Sequence, residues 1–402
     1  MPNSDEKMNP PVSAGLKHYF RAMGLTALAV LSAVVTLNYV VDPYLIHQWD
    51  TQPIHRLSPT QQKIVPWGKT YAAFRYRPEV VYLGSSRTEI GLPPDSPIFA
   101  GKRVFNLALA GASFGDAINM LRHTSVFYRP EIVVWGLDYG WQFREKNGNS
   151  DFIPALVATG PSYPLRRTLL NLRRSISLAM AGDVVQILSG DSERKCPSLL
   201  ATCGQKPSQC MEYIMHDAGG TAKAFEKVLK KTSPLGRPPD VPAAIQLLDQ
   251  VTDDYCRRGT VFRFFIQPVH ALAELSYWAT RRQEVDDWKR SLTTVIDARR
   301  REGCDIRPVD FSGFNRITTE EIPQATGQEN MQYYWEQSHY RSEVGQMILE
   351  RLFREGRQDE RDDFGVDLSG GTIEQHLREF GTRRRDYISS HPRETGNMTG
   401  NP

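Results

Sequence analysis

The sequence predicts an α/β fold built on a parallel sheet covered by helices on both faces, with a helical insertion and one N-terminal transmembrane helix. Three observations predict it. Five short β-branched apolar runs alternate with helix-like stretches, the pattern of a parallel sheet buried on both sides. A polar, Pro- and Cys-containing stretch from about 150 to 240 breaks that alternation. A charge-free run precedes everything else, from Ala22 to Val41.

That run has 20 residues, and at 1.5 Å per residue it rises about 30 Å, the thickness of a bilayer's hydrocarbon. Lys17 and Arg21 lie just before it and Asp42 just after. This order favours an N-terminus (1–21) in the cytoplasm and the rest of the chain outside. Tyr39 and Tyr44 sit at interfacial positions, and Pro43 stops the helix. A cleavable signal peptide competes, but no clean small-residue cleavage site follows the run. The expected topology is therefore single-pass, with the domain outside the cytoplasm.

The strands in order are Glu79–Gly84, Arg103–Ala108, Glu131–Leu137, Val261–Ile266 and Asp305–Val309. Helix-like segments follow at Phe114–Phe127, Val241–Arg257 and, as one long helix, Leu272–Arg301, and Val344–Phe353 closes the domain over 45–365. Within the insertion, Leu165–Leu188 is amphipathic, and a Pro-rich link at Pro234–Pro242 returns to the sheet. The segment 366–402 reads as a polar helix (Thr372–Tyr387) and a disordered tail.

The chain has 402 residues, 40% hydrophobic and 24% charged, with net charge +3 from 49 basic and 46 acidic residues. That composition excludes a disordered or collagen-like chain, and the small net charge gives no basis for a nucleic-acid partner. Cys196, Cys203 and Cys210 share one polar stretch. They read either as a loop-closing disulfide or as free thiols. A zinc site is disfavoured, since the stretch lacks a CxxC knuckle.

Ligands in open parallel sheets bind beyond the carboxyl ends of the strands. The first exit is Leu83-Gly84-Ser85-Ser86-Arg87, a turn that exposes a hydroxyl beside free backbone N–H groups, though such a turn also serves as a simple helix cap. The second exit carries Asn106 and Gly111, where a glycine lets the backbone approach a ligand or simply pack tightly. The third exit ends at Asp138. Before the closing helix, Glu336 and His339 stand three residues apart, so that a carboxylate can orient an imidazole able to take a serine proton. His270, Asp310 and Asn315 follow later strands and are read as structural or substrate-facing. Arg87 is read as solvated or as a contact for an anionic substrate.

Taken together, this order resembles the SGNH/GDSL hydrolase superfamily over about residues 75–355. Gly84-Ser85-Ser86 stands where the family has GDS, Gly111 where it has its oxyanion glycine, and Glu336/His339 where it has DxxH. The resemblance implies a flavodoxin-like three-layer sheet, a Ser86–His339–Glu336 triad, an oxyanion held by the Ser86 and Gly111 amides, and no metal or other cofactor. Three positions depart from the family: Glu336 replaces Asp, Ser85 replaces the Asp of GDS, and Asp138 stands where an oxyanion asparagine is usual. An ionised Asp138 would repel an oxyanion, leaving Asn106 or backbone groups to serve. The anchor and the turn look like bacterial envelope proteins of polysaccharide O-acylation, a resemblance that implies a bacterial inner (plasma) membrane location with the domain periplasmic. This implies an O-acetyltransferase or esterase acting on an acylated glycan beside a multi-span, acyl-exporting membrane partner. The rival expectation is a catalytically inactive SGNH-like glycan-binding or scaffold protein.

Overall fold

The computed structural model describes residues 12–47, 61–140, 151–158, 160–189, 202–229, 240–278, 281–323, 331–354 and 363–396. Helix α1 (Val12–Val41) is followed by α2 (Gln61–Arg75), β1 (Val80–Leu83), α3 (Ser86–Gly91), β2 (Val104–Asn106), α4 (Phe114–Phe127) and β3 (Ile132–Leu137). Four helices come next: α5 (Tyr163–Ser175), α6 (Leu178–Leu188), α7 (Ser208–Ala218) and α8 (Thr221–Leu229). Then come α9 (Val241–Cys256), β4 (Val261–Ile266), α10 (Ala271–Trp278), α11 (Arg282–Arg301) and β5 (Ile306–Asp310). The chain closes with β6 (Tyr334–Glu336), β7 (His339–Tyr340), α12 (Ser342–Phe353), β8 (Val366–Asp367), α13 (Ile373–Ser390) and the short α14 (Pro392–Thr395).

Five strands form a parallel sheet in the order β2-β1-β3-β4-β5, and β8 adds an antiparallel edge to β5. The order reverses between β1 and β3, and crevices for ligands open at such a switch point. Alternate side chains of each strand enter different cores. Val81, Leu83, Val133, Trp135, Phe262 and Phe264 pack with α4, α9 and α11 on one face. Val80, Tyr82, Val134, Phe265 and Val309 pack with α12 on the other. Burial on both sides explains why these strands read as unbroken apolar runs.

One long helical reading breaks in the structure. Leu272–Arg301 divides into α10 and α11, because the halves bury faces in different clusters. Leu272 and Leu275 of α10 join Phe314 and Phe380, whereas Val285, Trp288, Leu292 and Ile296 of α11 join the main core. The amphipathic stretch Leu165–Leu188 divides at Ile176–Ser177, where the Ser177 hydroxyl caps α6 by accepting from the Met180 N–H at 3.1 Å. Helix α2 carries Pro66 in its interior, which hid it from a pattern reading.

A disulfide joins Cys256 and Cys304, tying the end of α9 to the turn before β5. Cys203 keeps a free thiol and Cys210 is disulfide-bonded. Cys196, most of the Pro-rich link and the end of the C-terminal tail lie outside the described residues. Helix α1 is long and apolar enough over Gly15–Val41 to cross a membrane.

Candidate active site

At the switch point, β1 leads directly into α3. Gly84 makes the bend with φ of +147°, and a Cβ there would stand 2.2 Å from Thr88 Oγ1 and 3.1 Å from the Gly136 carbonyl. Only glycine fits so close a crossing of backbone and helix. Ser85 is the extended cap residue and Ser86 opens the helix. The Ser86 side chain is thus presented at the carboxyl end of the sheet.

The partner residues come from a small hairpin 250 residues away in sequence. Strands β6 and β7 pair so that Glu336 lies directly across from His339. His339 Nε2 is 2.8 Å from Ser86 Oγ, and His339 Nδ1 bonds Glu336 Oε1. The second Glu336 oxygen accepts the Ser338 N–H at 3.2 Å. Burial alone would raise the Glu336 carboxyl. His339, the Ser338 N–H and Arg87 outweigh that and hold it below the ordinary glutamate range. An ionised Glu336 accepts from Nδ1–H, which leaves Nε2 as the acceptor facing the serine hydroxyl.

Asp138, at the exit of β3, is engaged from two sides. Arg87 Nη1 pairs with its Oδ1, and Ser85 Oγ donates to its Oδ2 at 2.9 Å. The Arg87 and Asp138 side chains are only 11% and 8% exposed, so this is a buried pair whose charges cancel locally. Arg87 also reaches across to the hairpin, its Nε donating to the Ser338 carbonyl at 3.1 Å. One arginine therefore ties the β3 exit to the loop that carries His339.

Gly111 sits half-buried in the left-handed region, φ +67°. The loop that holds it is pinned from below: Lys69 Nζ donates to the Ala108 carbonyl and, at 2.8 Å, to Glu89 Oε1. Asn106 is turned to structural work. Its Nδ2 donates to the Thr88 carbonyl at 2.9 Å and its Oδ1 accepts the Ala108 N–H at 3.1 Å, clamping α3 against the loop after β2. His270 is likewise occupied: Nε2 bonds the Glu320 carbonyl at 2.7 Å and Nδ1 accepts the Leu272 N–H at 3.2 Å. Burial pulls its pKa down to about 4, so it is a neutral packing residue against Phe225 and Tyr334. Asp310 lies in a separate buried network with Lys289 and His376, and Asn315 caps its own turn through Oδ1 to the Thr318 N–H at 3.0 Å.

Sequence reasoning passed over several supports. Gln267 bridges the site's two halves, donating to Thr88 Oγ1 at 2.6 Å and accepting from the Tyr340 hydroxyl at 2.8 Å. Its signal was present: a polar residue directly after the apolar run of β4. Tyr277 on α10 lies near Arg87 and Glu336, and burial raises its phenol. The described residues contain no cluster of histidine, cysteine and carboxylates suited to a metal ion.

No family model matches the chain, and no curated protein matches it. Among solved structures it is similar to one from Streptococcus pneumonia described as a "putative platelet activating factor". The likeness covers 73% of this chain and 91% of that one, at 11% identity and a TM-score of 0.33. A similarity so distant carries no weight for activity.

Proposed function

We propose that the chain is a membrane-anchored serine acyltransferase or esterase of SGNH type, acting outside the cytoplasm on an acylated envelope or secreted polysaccharide. The observation that carries the catalytic part is the relay from Ser86 Oγ to His339 Nε2 at 2.8 Å, backed by Glu336 on Nδ1. Nucleophile, base and orienting carboxylate in mutual reach define this chemistry independently of chain order.

In this reading Ser86 Oγ attacks the acyl carbonyl carbon while His339 takes the hydroxyl proton, and Glu336 stabilises the imidazolium. The oxyanion falls to the amides of Ser86, at the first turn of α3, and of Gly111. Asp138, cancelled by Arg87, no longer opposes that charge. The departing alcohol or thiol takes the proton back from His339. A sugar hydroxyl, or water in the esterase case, then attacks the Ser86 ester, and His339 again accepts and returns one proton. The glycan acceptor and an acyl-exporting multi-span partner follow from the resemblance of the anchor and turn to O-acylation proteins. Two observations support an oxidising compartment: the Cys256–Cys304 bridge and the bonded Cys210.

Fluorophosphonate labelling of the full-length protein tests the reading, comparing wild type with Ser85→Ala and Ser86→Ala. Labelling of wild type and Ser85→Ala, lost in Ser86→Ala, is expected. Labelling that survives in Ser86→Ala, or none in any form, overturns it.

A further inference from the structure

Helix α5 is amphipathic the wrong way round for a water-soluble domain. Its core-facing side is mostly polar, Leu170 being the partly buried leucine that packs against the main core. Arg167 is buried, its Nη1 bonding Thr70 Oγ1 and the Leu156 carbonyl, each at 2.9 Å, and its guanidinium stacks on Trp67 and Tyr71. Asn171 Nδ2 donates to the Tyr71 hydroxyl. Its outward side is apolar: Leu165, Leu169 and Leu172 are 66%, 57% and 58% exposed, at the i, i+4, i+7 spacing of one helix face. Helix α6 continues the surface with Leu178, Val185 and Leu188, 75%, 63% and 56% exposed. A soluble helix places leucine inward and arginine outward, so this inversion calls for an apolar medium outside.

The neighbouring element identifies the medium. The carboxyl end of α1 is docked against α5 and α6. Asn38 Nδ2 donates to the Ser175 carbonyl at 2.7 Å and the Ser177 carbonyl at 3.2 Å. Val41 packs with Val184 and Ile187 of α6, and Tyr44 donates to Asp183. Residues 22–41 make about 30 Å of helix, so Asn38 and Val41 mark the outer end of the span. The leucine face therefore begins where α1 leaves the hydrocarbon. Of the four arginines in 163–189, Arg167 is buried and Arg173 is exposed, and the segment's one acid, Asp183, is buried. A basic group flanking an apolar face suits lipid phosphates above acyl chains.

We propose that α5 and α6 lie in the interface of the bilayer that α1 enters, leucines at the acyl boundary and Arg173 at the phosphates. The domain is then held against the membrane by two elements instead of swinging on a single tether. The inference rests on the reading of α1 as a membrane anchor and is independent of the triad.

The test uses the full chain in nanodiscs of phosphatidylethanolamine and phosphatidylglycerol, one copy per disc. The free thiol Cys203 is replaced (Cys203→Ser), and spin labels are placed singly through Leu165→Cys, Leu169→Cys, Leu178→Cys and Leu188→Cys. Leu28→Cys on α1 reports the anchor, and Arg300→Cys, exposed on α11, reports water. All four sites are already solvent-accessible on the protein, so the labels disturb no packing. Collision with oxygen exceeding collision with a water-soluble nickel chelate is expected at the four sites, shifted toward the Leu28 value and away from the Arg300 value. Nickel access equal to the Arg300 site, with Leu28 in lipid, overturns the proposal and leaves the anchor standing. An aqueous Leu28 removes both. Shielding from both reagents means a protein contact in place of lipid and also overturns it.

Discussion

If Ser86 is the nucleophile proposed above, the pairing of Arg87 with Asp138 explains how a carboxylate can hold the neighbouring Ser85 without opposing the reaction, and a double-mutant cycle tests that explanation. Both side chains are about nine-tenths buried, and removing one partner of such a pair strands the other charge at a cost of about 3–5 kcal/mol. Arg87→Met and Asp138→Asn should each lower the thermal midpoint of the full chain in nanodiscs by roughly 6–20 °C, at about 2–4 °C per kcal/mol. The double variant leaves no stranded charge, so its loss should fall short of the sum by about 2 kcal/mol or more. Arg87→Met should also slow fluorophosphonate labelling. The uncompensated carboxylate would oppose the developing oxyanion, and because each 1.36 kcal/mol of such repulsion lowers a rate about tenfold, a fall of at least about tenfold is expected. Adding Asp138→Asn to Arg87→Met should recover most of that rate. Stability losses that add to within about 0.5 kcal/mol, together with an unchanged labelling rate in Arg87→Met, would refute the reasoning.

Four further outcomes follow from the structure. His339→Ala should abolish labelling, and Glu336→Gln, which spoils the imidazole's tautomer, should reduce turnover by about three to four orders of magnitude. Because the Glu336 carboxyl is held below its ordinary range, its stabilisation is fully present above the unfolded glutamate value of about 4.3 and is lost as acid takes pH below it; a wild-type midpoint more acid-sensitive than that of Glu336→Gln checks the sign. Gly84→Ala would drive a Cβ to within 2.2 Å of Thr88 Oγ1 at a φ of +147°, so it should express poorly or unfold early, whereas Ser85→Ala should cost only about 1.5–3 kcal/mol, the net worth of a hydrogen bond to a charged group. The Cys256–Cys304 bridge closes a loop with a sequence separation of 48, for which chain entropy gives about 4 kcal/mol; the paired variant Cys256→Ala/Cys304→Ala should lose most of that in denaturant titration.

How much of this was legible from the chain depends on how local each signal is. The five parallel strands were legible because each is buried on both faces and so reads as apolar without a partner being known. Ser86, Glu336 and His339 were singled out by position, at a strand exit and before the closing helix. Their meeting, across 253 residues, is a property of the sheet's switch point. What failed was whatever depends on a distant environment. Asp138 looked like a charge opposed to catalysis, since nothing in Gly136-Leu-Asp138 announces that Arg87, 51 residues earlier, cancels it. Asn106 looked like a donor for the site, since the carbonyls of Thr88 and Leu92 that occupy its amide belong to another element. The same limit governs α5. Its leucines recur at helical spacing, and periodicity tells which residues share a face but not what medium that face meets. Only the burial of Arg167 on the opposite side reverses the usual assignment. The side of the helix that the sequence would have placed in the core is the side that faces out.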